Sequence, residues 1–101
     1  MRKKNVKAIV LEALYHSDGP MTVGGLQQST LLSRSSLKDC LARLTLERCV
    51  EKKKFSIEGI DCYDYRVSDV GRTPKYYYVI RFPLGMKKLQ YFADVGLIKL
   101  Q

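Results

Sequence analysis

The sequence predicts an α+β fold: a three-helix bundle, then a β-hairpin, then an additional C-terminal helix. Three observations predict it. Apolar residues recur at helical spacing in three segments before residue 48. From Cys49 onward the pattern changes to runs rich in β-branched and aromatic residues. Behind Pro83 the helical spacing returns. With 101 residues the chain makes one domain around a single core. Residues 1–83 hold the bundle and hairpin, and 84–101 add a helix to the same domain.

The first helix is expected over residues 3–17. Val6, Ile9, Val10, Ala13 and Leu14 fall at i, i+3, i+4, i+7 and i+8, a single stripe turned toward a core. Ser17-Asp18-Gly19-Pro20 breaks it. Thr22 is the expected N-cap of a short second helix, Val23 to Thr30, with Val23 and Leu26 inward. Gly24 and Gly25 either weaken that helix by ~1 kcal/mol each relative to alanine or admit a neighbouring backbone. Leu31-Leu32 supplies an apolar turn. Ser33 then caps the clearest helix, Arg34 to about Glu47. Its Leu37, Cys40, Leu41 and Leu44 lie within an arc of about 100°. Ser35, Lys38, Asp39, Ala42 and Arg43 occupy the opposite side, a polar, net basic face.

Beyond Cys49, Val50 to Ile57, Asp61 to Val67 and Lys75 to Phe82 read as strands, the last most strongly. Glu58-Gly59 and the stretch from Ser68 to Pro74 supply turns, and Pro83 closes the final strand. Leu84 to Val95 forms the last helix, with Leu84, Lys88, Leu89, Phe92 and Val95 on one side, ended by Gly96.

Eighteen Lys and Arg against ten Asp and Glu leave a net charge of +8. An excess of that size on a small body draws polyanions. Nucleic acid is the leading partner, ahead of a ribosome-associated or membrane-surface role. The apolar runs fall far short of the roughly 20 residues that span a bilayer, so no membrane insertion is expected. Met1-Arg2-Lys3-Lys4 leads into an amphipathic helix and not a secretory apolar core. Cys40, Cys49 and Cys62 are an odd set without a Cys-x-x-Cys pair, which points to a reducing, cytoplasmic location. Together with His16 they lack the close ligand spacing of structural zinc, so buried thiols are expected and no metal or other cofactor. One histidine, no glycine-rich phosphate loop and no recognisable nucleophile–base set point to a binding protein and not an enzyme. His16, at the end of the first helix, fits a capping role.

The run LSRSSLKDCLARLTLERCVEKK, residues 32–53, resembles the recognition helix and first wing strand of the winged helix-turn-helix superfamily, which includes small bacterial, archaeal and viral transcription regulators. Leu37, Leu41 and Leu44 match its apolar positions, and Val50 to Lys53 its strand. GRTPKYYYV, residues 71–79, is similar to the wing's return strand. The resemblance spans about residues 6–82. Arg48 departs from it, standing where the family usually has glycine for a left-handed turn. The segment from Phe55 to Lys75 is also longer than a simple hairpin and leaves room for an extra strand around Cys62 to Val67.

The resemblance implies sequence-specific binding of double-stranded DNA by a transcriptional regulator, with the third helix in the major groove and the wing on the backbone or minor groove. Ser35 and Ser36 would let the backbone come close. Arg34, Lys38 and Arg43 would reach guanine edges or phosphates. Asp39 would accept from cytosine or pair with Arg43 at i+4. Lys52 and Lys53, with Lys54, resemble a phosphate strip, although strand alternation prevents all three from pointing one way. Arg72, Thr73 and Lys75 are the wing candidates. A plain solvated helix face and an ordinary charged turn are the competing readings. Tyr63, Tyr65, Tyr76, Tyr77 and Tyr78 either stack on unpaired bases or cover the core. Leu89, Phe92 and Val95 either form the seam of a homodimer or pack back on the first helix. Two other functions stay open: a protein-interaction subunit of a larger complex, and an accessory protein for RNA or single strands.

Overall fold

The computed structural model describes residues 5–17, 19–61, 63–65 and 72–100, with the backbone alone at 61, 63–65 and 72–74. Three helices, α1 (Val6–His16), α2 (Val23–Thr30) and α3 (Arg34–Leu46), come first. Strands β1 (Val50–Lys54), β2 (Ser56–Ile57), β3 (Ile60–Asp61), β4 (Tyr63–Tyr65), β5 (Arg72–Pro74) and β6 (Tyr76–Ile80) follow, and α4 (Leu84–Asp94) comes last. The α+β layout of three helices, an antiparallel hairpin and a C-terminal helix is compatible with winged-helix topology.

Helix α1 begins later than expected because Asn5 caps it, its Oδ1 accepting from the Ala8 N–H at 3.1 Å. Its buried face is also turned from the expected stripe. Ala8, Val10, Leu11 and Leu14 are buried, whereas Val6, Ile9 and Ala13 are only half covered. The reason is tertiary: α1 touches α2, α3, α4 and β6 together, so a broad arc is covered and not one stripe. In α2 and α3 the local signals hold. Thr22 Oγ1 accepts from the Gly25 N–H and Ser33 Oγ from the Ser36 N–H, each at 3.1 Å. Leu26, Leu37, Cys40, Leu41 and Leu44 are buried. Added Cβ atoms at Gly24 and Gly25 would meet nothing closer than 3.5 Å, so no neighbouring backbone requires these glycines.

Helix α3 ends in a Schellman arrangement: the Cys49 N–H donates to the Leu44 carbonyl and the Arg48 N–H to that of Thr45. Arg48 takes the left-handed conformation, φ 61°, that the family fills with glycine. The turn is therefore the expected one, made with a residue that strains it by ~1 kcal/mol.

Strand β1 pairs antiparallel with β6, from Val50 opposite Ile80 to Lys54 opposite Tyr76. Met21 closes the far side of β6, exchanging two backbone hydrogen bonds with Tyr78 at 2.8 and 3.2 Å. Beyond Lys75 the partner changes, and β5 pairs with β4. Between them the chain makes a separate small hairpin, β2 with β3, turned by Glu58 and Gly59 at φ 52° and 80°. The expected strand from Val50 to Ile57 thus breaks at Phe55, and the expected extra strand is Tyr63–Tyr65. Arg72 and Thr73 lie in a strand and not in a turn; residues 66–71 and Cys62 lie outside the described residues.

Helix α4 seats at the junction of α3 and β1, where Gly85 approaches so closely that a Cβ would stand 2.2 Å from the Cys49 carbonyl oxygen. Leu89 and Phe92 are 0% and 6% exposed. That corrects their assignment to a dimer seam: both are spent within the chain, on the side where α4 meets α1. Val95 remains exposed. The segment after α4 lies back along α1, with Ile98 buried, Glu12 accepting from the Lys99 N–H and His16 Nε2 donating to the Lys99 carbonyl. His16 thus holds the C-terminal segment, while Ser17 caps α1. Among the described residues no helix is long and apolar enough to cross a membrane.

Candidate nucleic-acid interface

The caps and leucines that fix α3 also fix what it shows to solvent. With Leu37, Cys40, Leu41 and Leu44 inward, Arg34, Ser35, Ser36, Lys38, Asp39, Ala42 and Arg43 are all exposed. No ion pair or hydrogen bond among the described residues engages the charged groups of Arg34, Lys38, Asp39 or Arg43. Asp39 therefore does not restrain Arg43. Ser36 differs from Ser35, because its hydroxyl accepts from that of Ser33 at 2.9 Å and belongs to the cap. No acidic residue stands in the first turn of α3, so the partial positive charge of the helix start adds to Arg34.

The sheet carries further candidate cations. Register partners share a face, so Val50, Lys52 and Lys54 lie on one side with Ile80, Tyr78 and Tyr76, and Glu51 and Lys53 on the other with Val79 and Tyr77. Val50 and Tyr78 are buried, which marks the first side as the one that meets the helices. Lys52 Nζ lies 4.1 Å from the centre of the Tyr76 ring. Burial pushes the Tyr78 phenol above its ordinary range; Tyr76 adds to the rise and the Arg34 charge opposes it. The Arg34 charge thus acts on Tyr78, and Lys52 stands over Tyr76 on the same face of the ribbon.

Lys53 belongs elsewhere. It faces the opposite side of the ribbon, where it stands 3.7 Å from Glu51. Lys75 Nζ lies over the Phe55 ring at 4.8 Å, and Phe55 packs edge-on against Tyr77. The side chains of Arg72, Thr73, Tyr63 and Tyr65 lie outside the described ones. Tyr78 serves the core, and Tyr76 and Tyr77 are half covered, which leaves little open ring for base stacking. One contributor was missed in the sequence: Met21 anchors the edge of β6, and its only local signal is one apolar residue between Pro20 and Thr22. Lys54, named in the sequence with Lys52 and Lys53, shares the face of Lys52, as strand alternation requires.

The two described thiols are apart from this surface. Cys40 and Cys49 are buried. Burial pushes the Cys40 thiol up to about 11, against the pull of Lys7, and raises that of Cys49 as well. Both are poor nucleophiles and poor metal ligands at neutral pH.

Comparison with protein-family models, with curated proteins and with solved structures gives no match.

Proposed function

We propose that the chain binds double-stranded DNA as a winged helix-turn-helix transcription regulator, with α3 in the major groove and the wing on the neighbouring backbone. One observation carries this reading: the outward face of α3 holds Arg34, Lys38 and Arg43, all exposed and, among the described residues, without an ion pair or hydrogen bond at their charged groups. A helix about 10–12 Å across fits a groove about 12 Å wide. Ser35 allows close approach, Arg34 and Lys38 face base edges or phosphates, and Arg43 reaches the backbone one turn further on. Asp39 accepts from cytosine. Lys52 contacts a phosphate on the same side, and Lys53 does not. The role is binding and not catalysis.

Fluorescence anisotropy with a short duplex tests the assignment. Arg34→Ala and Lys38→Ala each weaken binding roughly tenfold, about 1–2 kcal/mol. Lys52→Ala weakens it more than Lys53→Ala. Unchanged affinity in both α3 variants removes that helix from the interface. Pairing of two copies, which would set two α3 helices in successive major grooves, falls to the outward side of α4, where Leu84, Tyr91 and Val95 are exposed. Sedimentation of the Tyr91→Ser, Val95→Ser chain beside the wild type tests that seam, the expected result being a shift from dimer to monomer.

A further inference from the structure

We propose that the β2–β3 hairpin is an apolar wedge, which places Ile57 and Ile60 in the minor groove of the bound duplex and opens a base step there. The inference rests on the DNA-binding reading and assigns the hairpin a task within it. Ile57 and Ile60 are directly opposed across the hairpin, so both side chains stand on one face. They are 59% and 73% exposed, although isoleucine is among the residues most often buried. The turn between them has positive φ at both Glu58 and Gly59, the two-residue geometry that makes the tightest hairpin tip.

The hairpin is also not needed for the sheet. Residues 72–80 form one nearly continuous edge, paired first with β4 and then with β1, and residues 56–61 are diverted out of that ladder. What the diversion yields is a narrow projection carrying two isoleucines. Its root carries Lys54 and Lys75, whose carbonyl accepts the backbone bond from Phe55 that closes its base, with Asp61 opposite Ser56. An apolar pair at the tip of a hairpin whose base carries Lys54 and Lys75 suits an apolar stack behind an anionic rim, which is a base step between two phosphate backbones. Isoleucine belongs to the set of side chains that part base steps from the minor groove. Glu58, at the tip, is the one group in the turn that phosphates repel, and it supplies an independent check.

The test uses the full chain and a duplex carrying 2-aminopurine at a central TA step, with a fluorophore pair on its ends. Wild-type protein raises the 2-aminopurine emission and brings the ends together. Ile57→Thr with Ile60→Thr keeps the β-branch and thus the strand preference. That variant, folded by circular dichroism, binds roughly tenfold more weakly with an unchanged salt dependence and leaves the step stacked at saturation. Glu58→Gln tightens binding a few-fold. Wild-type binding without unstacking, or unstacking by the double variant, overturns the wedge and leaves the DNA reading standing. Absence of any duplex binding by the wild type at low salt removes the DNA reading itself. Binding to phosphatidylglycerol vesicles that the threonine pair abolishes, with no unstacking of the duplex, assigns the isoleucines to a lipid surface and overturns the proposal.

Discussion

Two glycines with similar sequence surroundings have opposite meanings. Gly85 lies against the Cys49 carbonyl and the Ile80 side chain, so Gly85→Ala must move α4 away from β1 and destabilises the chain by about 1–3 kcal/mol in chemical denaturation. Gly24 meets nothing tight, so Gly24→Ala stabilises by about 0.5 kcal/mol through helix preference alone. Nothing in the sequence separates them, because the distinction lies in a contact between residues distant along the chain. Arg48 was legible, since the turn that leaves a helix after Glu47 has few geometries. Arg48→Gly should raise stability by about 0.5–1 kcal/mol. Glu47 was not legible as a tie. Its carboxylate accepts from Lys7 of α1 and Lys88 of α4, and these hydrogen bonds hold its pKa below the usual carboxylate range. A depressed folded pKa means stability present above the unfolded pKa and lost as pH falls through the folded one. Glu47→Gln therefore flattens the acid side of the stability profile, while at neutral pH it costs well under 1 kcal/mol because the pair is partly exposed. A variant whose acid denaturation matches the wild type would remove this role from Glu47.

Elements whose signals are local were read correctly, and those whose partners are distant were not. Helix α3 carries its cap, its leucine arc and its polar face within its own residues, so both its boundaries and its exposed residues could be foreseen. Helix α1 shows a clean apolar stripe, but four neighbours decide what it buries, and Leu11 and Ala8 displace Ile9 and Val6 from the core. The region after α3 was legible as β structure but not in its pairing, because the branching into β2–β3 and β4–β5 depends on register and not on composition. Of the candidate residues, those of α3 are exposed on its outward face, and Lys52 and Lys53 lie on opposite faces of the ribbon. Helix α4 shows the same limit: an apolar stripe does not say whether its partner is α1 or a second copy. Since Phe92 is buried, Phe92→Ala should cost about 3–5 kcal/mol. A chain ending before Leu84 should melt at a markedly lower temperature. If that truncated chain unfolds with the full-length midpoint, α4 is no part of the core.

At the scale of the whole molecule the basic excess is the feature from which the DNA-binding proposal starts, and it was readable at once: the net charge is +8. Charge alone does not separate nucleic acid from other polyanions; the DNA-binding proposal rests on its placement, with Arg34, Lys38 and Arg43 exposed on one face of α3. A protein gripping a duplex this way releases counterions in proportion to the phosphates it neutralises. The most direct test is the affinity for a duplex as a function of salt, for the wild type and for the Arg34→Ala, Lys38→Ala chain. With about five phosphates contacted, the wild-type affinity should fall with a logarithmic slope of roughly −4, and the double variant should lose about two units of it. Equal slopes in the two proteins, or a wild-type affinity indifferent to salt, would contradict the placement of α3 against DNA.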